Sequence, residues 1–383
     1  MTDSLSLYIH WPFCLAKCPY CDFNSHVRDE IPQKRFAAAL RRELAHDAAR
    51  LGRRRLNAIF FGGGTPSLMA PETVAALIED AKTLFDPVPD LEITLEANPT
   101  SVEASRLAAF REAGVNRVSL GIQSLREDAL RLLGREHSAP QAIKALETAR
   151  ALFPRISFDL IYARPGQSPA DWSDELSTAL DLVADHLSLY QLTIEPGTKY
   201  EALHRRGEIT LPDDETAATL YTLTGDVAAT RGLLPYEVSN YAKPGCESRH
   251  NLTYWRYQDY LGIGPGAHGR MTFNSTLHAT RRHRAPEPWA ELVEKHGTGS
   301  REETPLSAEE RGRESLLMGL RLTEGINAAA FQNRTSRSLT DCMDPDILTA
   351  CLEEDYLSFD GTTLRATSEG RLRLESLLAR LVL

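Results

Sequence analysis

The sequence predicts an α/β protein, an open (β/α)6 partial barrel followed by a small, mostly helical, winged-helix-like domain. Three observations carry that prediction. Six short apolar runs alternate with stretches whose apolar residues recur at helical spacing, the pattern of successive right-handed βαβ crossovers. Polar or glycine residues interrupt the runs near their C-terminal ends, namely Tyr8 and His10, Gly62 to Thr65, Glu96 and Asn98, Gln123, Asp159 and Gln191, where barrels carry their chemistry. Beyond residue 304 the pattern returns to helices and then to two short runs about Asp360-Gly361, a hairpin turn.

In chain order, residues 5–10 alternate and are rich in Leu, Tyr and Ile, so they read as a buried strand that leads straight into a cysteine loop. Residues 33–51 set Phe36, Ala37, Leu40, Leu44 and Leu51 at helical spacing. Further strands are expected at 56–61, 91–97, 117–123, 156–163 and 186–193, with helices at 71–84, 102–113, 127–133, 140–152 and 170–182. A helix over 213–232 completes a first unit at 1–235. Residues 236–303 are rich in Gly, Pro, Tyr, His and Asn, lack clear periodicity, and read as a long irregular connection. The last unit, 304–383, is expected to hold helices at 308–322, 326–333 and 346–354, a hairpin over 357–366 and a helix from 368.

Lys and Arg number 43 against 53 Asp and Glu, a formal charge of −10, which argues against a general affinity for nucleic acid or anionic lipid. Basic runs at 50–55 and 281–284 read as surface charge, one ending a helix and one in a loop. No apolar run approaches the length of a transmembrane segment, and no secretory leader is evident, so a cytoplasmic, reducing location is expected.

Cys14, Cys18 and Cys21 place three thiols within eight residues. Three thiolates can hold three corners of a cubic [4Fe-4S] cluster and leave the fourth iron open; a closed Cys3His zinc site with His10 or His26 is the alternative. A disulfide fits poorly with such crowding outside a secreted context. Cys246, Cys342 and Cys351 are dispersed and read as small buried apolar residues. Gly62-Gly63-Gly64-Thr65 follows a strand, so its backbone can approach a small anionic or zwitterionic ligand; a plain tight turn serves equally. The glycines at 262–266 nominally fit a dinucleotide fingerprint, but Pro265 interrupts it and no amphipathic helix follows.

Tyr8-Ile-His-Trp-Pro-Phe-Cys14, the cysteine spacing, Gly62 to Pro66 and Asp159-Leu-Ile-Tyr162 together resemble the radical S-adenosylmethionine (SAM) superfamily, with its partial TIM barrel core. Within it they resemble the branch that contains oxygen-independent coproporphyrinogen dehydrogenase and the HemW-type heme chaperones. The resemblance implies a [4Fe-4S] cluster on Cys14, Cys18 and Cys21, its fourth iron chelated by SAM, and an electron able to cleave SAM to a 5′-deoxyadenosyl radical. It assigns to SAM Tyr8, Tyr20, Gly63, Gly64, Thr65, Glu96, Gln123, Arg135 and Asp159. Gln123, Arg135 and Asp159 match positions that hold a second SAM in the dehydrogenase. On the residues alone, Arg135 reads as a surface charge on a helix and Asp159 as a partner of nearby backbone.

Two features separate the sub-branches. The dehydrogenase carries a further Cys two residues past the third, where this chain has Phe23. The chaperones carry His-Asn-x-x-Tyr-Trp, present as His250-Asn251-Leu-Thr-Tyr254-Trp255. These imply heme as a further ligand, with His250 supplying an imidazole, Tyr254 a phenolate and Asn251 and Trp255 completing the site; His268 is a second candidate in a glycine-rich loop. A departure is Ala163-Arg164, where the family has Gly-Leu before Pro165-Gly166. The expected function is a heme chaperone that binds heme and hands it to acceptor proteins, respiratory and membrane-associated ones included, with a low-potential electron donor for the cluster. The alternative functions are oxidative decarboxylation of coproporphyrinogen III and a zinc-stabilised binding protein.

Overall fold

The computed structural model describes residues 4–100 and 105–383. Strands β1 (Ser4–Trp11), β2 (Arg55–Gly63), β3 (Asp86–Ala97), β4 (Arg117–Gln123), β5 (Arg155–Tyr162) and β6 (His186–Gln191) lie parallel and in chain order. Between them run α1 (Gln33–Leu51), α2 (Pro71–Leu84), α3 (Leu107–Glu112), α4 (Glu127–Leu132), α5 (Ala139–Leu152) and α6 (Pro169–Leu182). The first part of the helix expected over 102–113 falls on 101–104, outside the described residues.

Alternation within each strand decides what the barrel contains. Leu5, Leu7 and Ile9 of β1, Ile93 and Leu95 of β3, and Val118, Leu120 and Ile122 of β4 join the core shared with Phe36, Leu40, Val74 and Leu77 of the helices. Each such fully buried side chain contributes about 1.5–3 kcal/mol. The intervening residues form the opposite row: Ser6 and Tyr8, Thr94 and Glu96, Arg117 and Ser119, Ser157 and Asp159, His186 and Ser188. The barrel interior is therefore polar, unlike a packed apolar barrel core. Helices α5 and α6 begin in capping boxes, Ser138 with Gln141 and Ser168 with Asp171, which set where each crossover turns back.

After α7 (Lys199–Arg205) and α8 (Asp214–Ala229), the expected irregular connection over 236–303 is instead largely ordered into the same sheet. Strand β7 (Leu234–Pro235) pairs antiparallel with β8 (Asn240–Ala242), which adds antiparallel to β6. Helix α9 (Arg249–Trp255) follows, and β9 (Tyr260–Ile263) pairs parallel to the free side of β1. Strands β10 (His268–Phe273), β11 (Thr276–Arg282) and β12 (Ser300–Pro305) extend it antiparallel, with α10 (Pro286–His296) before the last. The twelve strands run β12-β11-β10-β9-β1-β2-β3-β4-β5-β6-β8-β7. The periodicity was hidden because these strands are short and polar, and their tight turn at Asn274-Ser275, with φ of 46° and 67°, lacks the usual glycine.

The basic run at 281–284 also differs from expectation. Arg282 ends β11 and is 1% exposed; it pairs with Asp47 and lies 3.5 Å from Glu43, both on α1. Glu43 further accepts hydrogen bonds from Trp289 Nε1 at 3.0 Å and from the backbone of Gly264 and Gly299 at 2.9 and 2.6 Å. One buried network thus clamps the sheet extension onto the first helix.

The C-terminal part has its own core, including Leu316, Phe331, Leu357, Leu364 and Leu381. It comprises α11 (Ala308–Gly319), α12 (Ala328–Thr335), α13 (Pro345–Glu353), α14 (Ser368–Leu372) and α15 (Leu374–Leu381). A three-stranded sheet of β13 (Ile326–Asn327), β14 (Leu357–Phe359) and β15 (Thr363–Ala366), with β15 central, gives the winged-helix-like form. Asp360 caps the hairpin by accepting from the Thr362 and Thr363 amides, at 2.9 and 2.8 Å.

Candidate functional site

Strand β1 runs through Pro12 into a two-residue ladder, Phe13–Cys14 parallel to His26–Val27, which closes the cysteine loop at its base. Inside the loop the Cys21 amide donates to the Cys18 carbonyl at 3.1 Å, and both residues line one cavity. All three cysteines are free thiols. The Thr65 hydroxyl donates to Cys14 Sγ at 3.3 Å and Arg135 Nη1 to Cys18 Sγ at 3.2 Å. Burial pushes the Cys14 and Cys21 thiols above the ordinary thiol range, so a metal bound there displaces their protons.

The thiols border a cavity of about 370 Å³, a size suited to a small-molecule cofactor. Its opposite wall is made by the ends of β2 to β6, bringing Gly63, Gly64, Thr65, Glu96, Gln123 and Asp159 together. Tyr20 and Arg135 close its sides. The glycines are needed for contact: a Cβ on Gly64 would stand 3.0 Å from Cys14 Sγ and 2.8 Å from the Phe13 oxygen. Gly63 has φ of 113°, and a Cβ there would lie 2.6 Å from the His10 ring.

Glu96 accepts from the Gly63 amide at 3.3 Å, and burial, with repulsion from Asp159, pushes its carboxyl up to about 8. Asp159 accepts from Ser119 Oγ at 3.3 Å, and burial holds it at about 6. Arg135 is no surface charge. Besides Cys18 it bonds Asn98 Oδ1 at 2.7 Å and the Gly121 carbonyl at 2.8 Å. Gln123 sits at φ 71° with its Oε1 buried and unpartnered.

Asn98 and Ser119 line the cavity and were not among the assigned ligands, although Asn98 already stood out as a polar residue at a strand end. Asn24, which ties the loop to the Pro265 and Arg284 carbonyls at 2.9 and 3.0 Å, had no spacing signal at all. Tyr8 is placed differently from the expectation. It lies one pleat below the rim, donates to His10 Nδ1 at 2.9 Å, and faces an adjoining cavity rather than the thiols.

The residues 250–255 form most of α9, which plugs the barrel interior; Ser6 and Thr253 hydroxyls meet there at 2.7 Å. Helical geometry sends the motif's side chains to different surroundings. His250 is 2% exposed, its ring 4.5 Å from those of Phe60 and Tyr254, and neither nitrogen has a hydrogen-bond partner. Burial, helped by Arg117, lowers its pKa to about 3. Asn251 donates to Tyr236 at 3.0 Å, while Trp255 lies beneath Arg321 at the C-terminal unit. Tyr8 and Phe60 stack on the faces of the His250 ring and Tyr254 meets it edge to face, so the motif's histidine is enclosed by aromatic rings with both nitrogens unpartnered.

The donor set fits a multi-iron cluster better than zinc. Among the described residues no three His, Cys, Asp or Glu side chains converge on one metal ion. His10 has both nitrogens occupied, by Tyr8 and the Asn24 carbonyl. Among the described residues, no helix is long and apolar enough to cross a membrane.

Residues 8–179 match the Radical SAM superfamily and residues 306–373 the HemN C-terminal domain. The bovine protein named radical S-adenosyl methionine domain-containing protein 1, mitochondrial, is 43% identical, covering 98% of this chain and 87% of its own. Proteins named heme chaperone HemW from Escherichia coli and Bacillus subtilis are 37% and 35% identical, covering 98% and 96% of this chain and 97% and 96% of theirs. Coproporphyrinogen III oxidase (HemN) from E. coli, at 22% identity, shares the fold with a TM-score of 0.82 over 99% of this chain and 90% of that one. The chain thus belongs to the radical SAM superfamily, among the HemW-like members that end in a HemN C-terminal domain.

Proposed function

We propose that this protein is a heme chaperone that takes up heme and passes it to acceptor proteins. The end-to-end likeness to chains named heme chaperone HemW carries the reading. Phe23 supports it: its ring is 60% exposed at the position where the sister dehydrogenase has a further thiol. Free thiols suit a reducing compartment such as the cytoplasm.

Superfamily membership implies a [4Fe-4S] cluster and SAM. Cys14, Cys18 and Cys21 would hold the cluster, which when bound supplies an electron to the SAM sulfonium. The backbone of Gly63 and Gly64 with Thr65 would receive the methionyl end, beside Glu96, whose carboxyl can exchange a proton as a charged amino group arrives. Tyr20, Gln123 and Asp159, which line the same cavity, would hold the rest of SAM through polar contacts. Arg135 neutralises thiolate charge at Cys18.

Anaerobic reconstitution followed by a heme titration and a coproporphyrinogen assay on one sample tests the reading. Heme uptake with a shifted Soret band and no decarboxylated product is expected; product formation would replace the chaperone with the dehydrogenase.

A further inference from the structure

Two neighbouring strands that carry cavity residues end in the same unusual way. Gln123 closes β4 at φ 71° and Ala163 follows β5 at φ 55°, left-handed conformations that cost energy in any residue with a Cβ. The ladder between β4 and β5 also slips its register between Leu120 and Gln123, a bulge that re-aims the last side chain of β4. Ala163-Arg164 stands where the family pattern has Gly-Leu, so the bend at 163 is kept here without its glycine. Backbone of this kind persists only where surrounding groups over-determine it.

The groups that do so belong to the next residue at each end. Ser124 and Arg164 meet on the carboxylate of Glu175, a fully enclosed side chain of α6. Glu175 Oε1 accepts from the Ser124 hydroxyl at 2.5 Å and from the Leu125 amide at 3.0 Å. Arg164 Nη2 donates to Glu175 Oε2, and Arg164 Nη1 donates to Ser124 Oγ at 2.8 Å. One carboxylate therefore ties the end of β4 to the end of β5. The three residues stand behind the thiol cavity rather than on its wall, whereas Gln123, Asp159 and Ile161, just before them in the chain, line it. There Gln123 Oε1 is buried without a protein donor, and a Cβ on Gly121 would stand 3.1 Å from its Nε2. The carboxamide is thus confined, and its oxygen is an acceptor that a hydroxyl or amino group of a cofactor can satisfy.

We propose that Glu175, Arg164 and Ser124 are positioning residues for SAM, which lock the two strand ends so that Gln123 presents its carbonyl oxygen to the cofactor. The inference rests on the assignment of Gln123 to SAM and adds residues that touch no ligand. The Arg164 and Glu175 side chains are 5% and 0% exposed, so an apolar pair of similar volume can replace them without loss of stability. What such a pair cannot replace is the set of directed bonds that aims Gln123.

The test is equilibrium dialysis of SAM against the anaerobically reconstituted full chain, with Gln123→Ala, Ser124→Ala and the charge-free double variant Arg164→Met/Glu175→Leu. The last two are also built on Gln123→Ala. Thermal midpoints and iron and sulfide contents establish that each variant folds and loads. Gln123→Ala should weaken SAM by about tenfold. Ser124→Ala and the double variant should each weaken it by about three- to tenfold, and neither should weaken it further on the Gln123→Ala background, as residues acting through one side chain require. Parent-like affinity in both, or losses that add to that of Gln123→Ala, would overturn the positioning role and leave the SAM site in place. Should the double variant fail to fold, Ser124→Ala carries the same comparison. Parent-like binding by Gln123→Ala would remove the contact and this inference with it, and failure of the parent chain to bind SAM would remove the site itself.

Discussion

The guanidinium of Arg135 touches the Cys18 sulfur at 3.2 Å while gripping Asn98 at 2.7 Å, so the cysteine loop and the end of β3 meet through one side chain. A cation that donates to a cluster thiolate favours the reduced cluster. Arg135→Ala should therefore retain iron and sulfide but lower the midpoint potential by on the order of 60 mV, one tenfold step for one electron. Redox titration of the reconstituted protein measures it.

Glu96 gives a pH signature. Its carboxyl titrates near 8 against an ordinary value of 4.5, so the protonated form belongs to the folded, ligand-free state. The sign follows: stability of that state falls as pH rises from about 4.5 to about 8, then levels. Glu96→Gln should flatten this slope. SAM, arriving with its ammonium, should expel about one proton near pH 7 in the parent and none in the variant. Calorimetry in buffers of different ionisation enthalpy counts the protons.

Gly63 has φ of 113° and faces the His10 ring. Gly63→Ala should cost about 1–3 kcal/mol in backbone strain and clash, and should abolish SAM binding before it unfolds the chain. Equilibrium dialysis with SAM beside a denaturation curve separates the two effects.

Arg282 is the counter-ion of buried Asp47 and Glu43. Arg282→Met strands two carboxylates in the interior and should destabilise the protein by about 3–5 kcal/mol, seen in urea unfolding. Arg53→Met, which breaks an exposed pair with Asp86, should cost under about 1 kcal/mol.

The contrast between Arg53 and Arg282 shows where the sequence was legible. The six barrel strands were readable because each alternates an apolar row with a polar one, and the rim was readable because Gly62 to Thr65, Glu96 and Asp159 interrupt apolar runs. Nothing local marks Arg282 as buried: its partners are more than two hundred residues away on α1. Strands β9 to β12 escaped for the same reason, since what fixes them is pairing to β1 and to each other rather than their own pattern. The spread of His250, Tyr254 and Trp255 over three environments was equally invisible, because adjacency in a motif says nothing of which way a helix turns each residue.

Strand β1 has neighbours on both sides, β9 and β2, within a sheet of twelve. Amides in such a central strand exchange with solvent only when the whole domain opens, whereas the loop of Cys14 to Cys21 lies beyond its end, closed by a ladder of two residues and tied by the Thr65 and Arg135 side chains. Oxidative loss of the cluster and loss of the fold are thus separate events. A chain stripped of its cluster by oxygen should keep the scaffold that positions its thiols and take up a new cluster in place.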